Sequence, residues 1–163
     1  MTPLARLARR WPPGSPVRRR LLRFQVRRTF AAMARNDVDV VLLMYEPDIH
    51  FQVFGMEGVG LDEHYHGHQD LRRFWAAIDD SFGDWAWTVR EVVDGGDRVA
   101  IRADLRALGR ESGLETNVVN GGTAARLGPN GLVTWQGWFV DRGGWDRALE
   151  AVGLAESSVT DLT

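Results

Sequence analysis

The sequence predicts an α+β domain in which a curved antiparallel sheet wraps around N-terminal helices. Three observations carry that expectation. Helical periodicity is confined to the first 82 residues and a short segment near the end, while the stretch between alternates apolar and polar residues with hairpin turns. The 163 residues suffice for one domain of ordinary size. Helices first, then four consecutive strands, favour an antiparallel meander covered on one face over a parallel α/β sheet.

Composition sets further bounds. At 44% hydrophobic and 26% charged residues the chain reads as globular. The longest apolar run, residues 40–45, falls far short of the ~20 residues that span a bilayer. There is no cysteine, which excludes disulfides, thiolate metal sites and cysteine nucleophiles and fits a cytoplasmic location. All 20 basic residues are arginine, and ten of them precede the first acid at Asp37. The chain is thus a basic N-terminal arm, +10 over residues 1–36, on an acidic body of −12.

Residues 1–16, with prolines at 3, 12, 13 and 16, read as a flexible extension. They lack the apolar core of a secretory signal, so export is not expected. The domain is expected over 17–154, with a tail over 155–163. From Val17 a helical period sets in, Leu22, Val26, Phe30 and Met33 falling at i, i+4, i+8 and i+11. Arg18, Arg19, Arg20, Arg23, Arg27 and Arg28 decorate that helix. They are expected to form a solvated face, since no nucleic-acid motif accompanies them, and neither nucleic acid nor membrane is an expected partner.

Asn36-Asp37 ends the helix, and a short apolar helix, 38–44, is closed by Pro47. A strand is expected at 48–54, rich in aromatic and β-branched residues, then a loop with glycines at 55, 58 and 60 and an extended piece at 63–66. Leu71, Phe74, Trp75, Ile78 and Phe82 mark an amphipathic helix stopped by Gly83. Trp85, Trp87 and Val89 open the sheet, and Asp94-Gly95-Gly96-Asp97 is a hairpin turn. Strands follow from Val99 to Leu105, over 116–127 and over 132–140, the last two joined by Gly128-Pro129-Asn130-Gly131. Trp145, Leu149 and Val152 define a closing helix with Gly153 as its C-terminal cap.

Several of these segments together resemble the SnoaL-like branch of the nuclear transport factor 2-like superfamily, a cone-shaped α+β barrel. They are Ala34-Arg35-Asn36-Asp37-Val38-Asp39, Tyr45-Glu46-Pro47-Asp48, Tyr65-His66-Gly67-His68 with Leu71 and Phe74-Trp75, Gly95-Gly96-Asp97-Arg98-Val99, Ser112-Gly113, Asn130-Gly131-Leu132-Val133 and residues 148–154. The resemblance covers about residues 18–154 in the right order. It implies an interior cavity for a small hydrophobic or polycyclic molecule, no cofactor, and a homodimer. The superfamily holds polyketide cyclases, ketosteroid isomerases, limonene epoxide hydrolases and non-catalytic binders, so fold alone does not choose among them.

Carried over by position, the isomerase base, tyrosine and acid fall on Val53, Thr29 and Thr123, none of which can act as an acid or base at neutral pH. The epoxide hydrolase pattern finds Arg102-Ala103-Asp104, whose i, i+2 spacing places both charged side chains on one strand face. Asp104 is therefore the expected base, oriented by Arg102. The second acid of that pattern falls on Trp138, and its water-holding positions on Phe51 and Val53. Thr29, Phe51, Val53, Trp75, Thr123 and Trp138 are the expected pocket wall, tryptophan suiting flat hydrophobic ligands. His64, His66 and His68 alternate, but Gly67 interrupts them and no metal is expected. Two functions stay open: cofactor-independent proton transfer or water addition, and ligand binding or dimeric interaction without turnover.

Overall fold

The computed structural model describes residue 8 and residues 10–56, 60–154 and 159–161. Of the expected extension, residues 1–7 and 9 lie outside the described residues, as do 155–158 and 162–163 of the expected tail and Gly58 of the glycine loop. No helix among the described residues is long and apolar enough to cross a membrane.

Helix α1 (Pro16–Ala34) starts where Ser15 caps it by accepting the Arg18 backbone N–H, with Pro16 in the first turn, where its missing N–H costs nothing. A short α2 (Val38–Leu42) follows, capped by Asp37. Strand β1 (Tyr45–Phe54) begins three residues before the expected 48 and runs through Pro47. Strand β2 (His64–His66) pairs antiparallel with it, and α3 (Gly67–Ser81) buries Leu71, Phe74, Trp75 and Ile78, four of the residues that predict it. Strands β3 (Phe82–Asp94), β4 (Arg98–Gly109), β5 (Glu115–Leu127) and β6 (Val133–Phe139) form the antiparallel meander. Helix α4 (Gly144–Val152) ends on Gly153, which takes the left-handed conformation that favours glycine.

These strands build one curved, unclosed sheet in the order β2-β1-β6-β5-β4-β3-β7, where β7 (Val159–Asp161) pairs antiparallel with β3. Strand β1 pairs with β6 in parallel, Phe51 opposite Gln136 and Val53 opposite Trp138. That long-range pairing brings the first strand beside the last and joins the N-terminal helices to the meander. Helices α1 to α3 lie against the inner face. The outer face carries α4, which approaches β5 so closely that a Cβ at Gly122 would stand 2.6 Å from Ala148 Cβ. The inner face holds the main core, and Val93, Ala100, Ala124, Phe139, Trp145, Ala148, Leu149 and Val152 form a second one under α4.

One of the α1 arginines is not on a solvated face. Arg18 is 4% exposed and makes a two-pronged pair with Asp94 at the end of β3, Nε to Oδ2 at 2.7 Å and Nη2 to Oδ1 at 2.9 Å. It also donates to the carbonyls of Gly96 and Trp11. The β3–β4 hairpin, the start of α1 and part of the expected extension are thereby tied together, with Ala8 buried and Pro13 against Gly96. Breaking a buried pair strands the other charge, at roughly 3–5 kcal/mol. Arg18→Ala is therefore expected to lower the unfolding free energy by about that amount in urea denaturation, while Arg20→Ala on the exposed side changes it by less than about 0.5 kcal/mol.

Candidate functional site

Two regions of the inner face could hold a ligand, and the residues fill them differently. Toward α3, aromatic rings close on one another. Trp138 meets Phe51, Phe74, Trp75 and Trp87 edge-on at centroid distances of 5.2–5.6 Å, and Trp75 stacks on Trp85 at 5.4 Å. The hollow left between Met56, Phe82, Trp85, Trp87 and Trp138 is about 10 Å³, too small for a ligand. The indole N–H groups of Trp75 and Trp87 are buried without a hydrogen-bond partner among the described residues.

The larger cavity, about 100 Å³, lies between α1 and the inner face of β4, β5 and β6. Leu22, Val26, Phe30 and Met33 face it from one helical stripe, and Val99, Ile101, Ala125 and Val133 face it from the sheet. Three of its polar side chains form a single chain, while Gln25, which also lines it, directs its Nε2 at Met44 Sδ, 3.8 Å away. The Tyr45 hydroxyl donates to Gln136 Oε1 at 2.7 Å, and Gln136 Nε2 donates to Thr123 Oγ1 at 2.8 Å. Burial pushes the Tyr45 phenol above its ordinary pKa, so it stays neutral across the physiological range. Thr29 lines the same cavity and donates to the Gln25 carbonyl one helical turn back. Arg18 stands at its margin with its charge matched by Asp94.

The structure therefore divides the expected wall. Thr29 and Thr123 line the larger cavity, whereas Phe51, Val53, Trp75 and Trp138 belong to the buried core, Phe51, Trp75 and Trp138 in its aromatic cluster. Strand alternation alone could not separate these groups, because both lie on the same sheet face. Residues absent from the sequence expectation are Tyr45, Gln136 and the α1 stripe. The stripe was visible as helical periodicity, but nothing local marked Tyr45 and Gln136, which are 91 residues apart, as partners.

The expected base and its orienting arginine stand elsewhere. On β4 the side chains of Val99, Ala103 and Leu105 are buried on the inner side, and the intervening Arg102 and Asp104 fall on the outer one. Arg102 does not pair with Asp104. It pairs with Glu91 on β3 at 2.5 Å and lies over the Trp145 ring of α4, 5.7 Å from its centroid. Asp104 accepts from Arg90 Nε at 2.7 Å and from the backbone N–H of Asn120 at 3.0 Å. Asn120 has a positive φ of 59°, at the irregularity where the β4–β5 register shifts. Asp104 thus holds a β-bulge. Desolvation raises its pKa, but the Asn120 N–H and the Arg90 guanidinium outweigh this and leave it below the usual value of 3.8. A carboxylate so stabilised is a poor proton acceptor.

The histidines are also on the outer side. His50 faces His66 across β1–β2 with ring centroids 4.6 Å apart, and His64 contacts the Gln52 amide. His68 turns away, its Nε2 3.2 Å from the Tyr45 carbonyl.

A curved open sheet around helices, with an apolar cavity beneath the first helix, defines a cone of the nuclear transport factor 2-like kind. Residues 26–136 match the SnoaL-like domain model, and the chain belongs to that family. No curated protein matches it. Among solved structures it is similar to TerC co-crystallised with polyporic acid, at 20% identity and a TM-score of 0.62, over 75% of this chain and 92% of that one. It is also similar to a nuclear transport factor 2-like protein of unknown function from Burkholderia pseudomallei, at 20% identity, TM-score 0.64 and coverage of 78% and 93%. A Mycobacterium tuberculosis protein in complex with estradiol-17β-hemisuccinate matches at 17% identity, TM-score 0.55 and coverage of 68% and 85%.

The role of Asp104 can be read from pH dependence. Its depressed pKa contributes stability that is present above the unfolded value, about 3.9, and is lost as pH falls through the folded value. Asp104→Asn is expected to cost about 1–2 kcal/mol at pH 7 in chemical denaturation, and the gap to the parent protein to close as the solution is acidified below pH 4. A gap independent of pH would remove the ionic clamp.

Proposed function

We propose that the chain binds a small, uncharged, hydrophobic molecule beneath α1, with one acceptor oxygen directed at Thr123, and that it does so without turnover. The observation that carries this is the composition of the cavity wall. Apolar side chains, with Gln25 and Thr29 of α1, surround one neutral hydrogen-bonded chain, and among the described residues the only charge at the margin is already paired. Bringing an ion into such a place costs several kcal/mol unless a counter-charge receives it. Thr123 Oγ1 accepts from Gln136 and keeps its own hydroxyl hydrogen to donate, which suits a carbonyl, ether or hydroxyl oxygen.

Absence of turnover rests on the same wall. Among the described residues Tyr45 is its one titratable group besides the paired Arg18, and Tyr45 is held neutral and already donates its proton to Gln136. Arg102 and Asp104, the residues best suited to proton transfer by type, have structural partners on the other side of the sheet. The ligand complexes of structurally similar proteins, with polyporic acid and with a steroid ester, support small-molecule binding as the common use of the fold. At about 100 Å³ the cavity is smaller than the engineered one of about 150 Å³ that admits benzene, so an aromatic ligand already requires the wall to yield. A polycyclic ligand needs Met33, Met44 and Leu22 to move, and the two methionines are suited to that. A cytoplasmic homodimer is the setting proposed for this activity, on the cysteine-free composition and the family resemblance.

Calorimetric titration with a matched pair of probes tests the reading. 2-Acetylnaphthalene is expected to bind and 2-naphthoate to bind at least tenfold more weakly. Thr123→Val should weaken the ketone about five- to tenfold and leave naphthalene unchanged. Val26→Trp should abolish binding of both neutral probes by filling the cavity, and Asp104→Asn should leave them unaffected. Preference for the naphthoate, or a Val26→Trp protein that binds as before, would overturn the assignment.

A further inference from the structure

The outward stripe of α1 has a composition that a solvated arginine face does not explain. Phe24 is 55% exposed, and on the helix surface its neighbours one turn away are Arg20, Arg27 and Arg28, all exposed. Leu43, 50% exposed at the end of α2, lines one shallow groove with Phe24 and Arg28, and Val17 is 43% exposed at the start of the same stripe. Among the described residues Arg20, Arg27 and Arg28 make no ion pair, and α1 contains no acid. An exposed phenylalanine ringed by three arginines is therefore the feature to be accounted for.

We propose that this face docks on an anionic lipid bilayer, Phe24 and Leu43 entering the headgroup boundary while Arg20, Arg27 and Arg28 meet the phosphates. The charge is right for such a surface, since ten arginines and no acid precede Asp37. The interleaved residues are right as well. Apart from arginine the stripe is Val17, Phe24, Ala31 and Leu43, all apolar, which gain by leaving water at an interface. Nucleic acid is the weaker fit, because Val17 and Leu43 offer a base neither a stacking ring nor a hydrogen bond, and Gln25 and Thr29 in the groove are half-buried and engaged with Met44 Sδ and the Gln25 carbonyl. The docking is peripheral and electrostatic, with two side chains as the apolar contact, and is reversible by salt. It does not depend on what the cavity binds.

Co-sedimentation of the full-length protein with sucrose-loaded vesicles, in the absence of ligand, tests this. At 0.1 M NaCl the protein is expected to bind 7:3 phosphatidylcholine:phosphatidylglycerol vesicles at least tenfold more tightly than pure phosphatidylcholine, with binding lost at 0.5 M NaCl. The Arg20→Gln, Arg27→Gln, Arg28→Gln triple variant should lose on the order of a hundredfold. Phe24→Ser with Leu43→Ser should lose about tenfold and keep the salt dependence. All substituted side chains are exposed, and unchanged thermal melts by circular dichroism would show that the variants are folded. Equal binding to both vesicle types, or undiminished binding by the folded variants, overturns the proposal. So does a single-stranded oligonucleotide that binds more tightly than the vesicles and is indifferent to Phe24→Ser with Leu43→Ser.

Discussion

The pairing of Arg18 with Asp94 sets where α1 can lie, and the cavity follows from that position. A guanidinium and a carboxylate withdrawn from water hold only when their geometry is satisfied, and here two parallel hydrogen bonds and two backbone carbonyls satisfy it. The N-terminal end of the helix is thereby fixed to the β3–β4 hairpin. Its other end is fixed by Ala32 and Met33, buried in the main core beside Val41 and Leu42 of α2. Between these anchors the helix spans a curved sheet, and Leu22, Val26 and Phe30 are not long enough to fill the space to Ile101 and Ala125 everywhere. The hollow is the residue of a straight element held at both ends across a bowed one.

The aromatic cluster complements this arrangement. Trp75, Trp85, Trp87 and Trp138 fill the part of the cone nearest α3, so the free volume lies toward α1. Two consequences follow for chemistry. Among the described residues the wall around the remaining space lacks a carboxylate, and Tyr45, Gln136 and Thr123 on it are neutral and mutually bonded. Glu91, Arg102 and Asp104 of β3 and β4 are instead engaged on the outer side, where Glu91 and Arg102 brace α4 and Asp104 holds the bulge at Asn120.

Much of the architecture was legible in the sequence because its signals are local. The 3.6-residue periods of α1 and α3, the Asp94–Asp97 turn and the Gly153 cap each act within a few residues. The parallel pairing of β1 with β6 and the short β7 were not legible, since both join segments far apart in the chain. For the site, the family pattern places Thr123 and Trp138 together on the expected pocket wall but does not say which of them borders free space. The family pattern offers Asp104 as a base oriented by Arg102, whereas the burial of Val99, Ala103 and Leu105 gives both the outer face. Arg18 could not be told from its five neighbouring arginines on α1, because its partner lies 76 residues away.

The central claim is that α1, held by Arg18 and Asp94, roofs a largely apolar cavity that admits uncharged ligands. A crystal structure of the protein under xenon pressure tests it most directly, since xenon occupies apolar voids without needing a polar partner. The account requires xenon density between Val26, Phe30, Ile101 and Ala125, with the Arg18–Asp94 pair intact above it. Xenon bound only among the tryptophan rings, or α1 packed down onto the sheet with no density beneath it, would contradict the account.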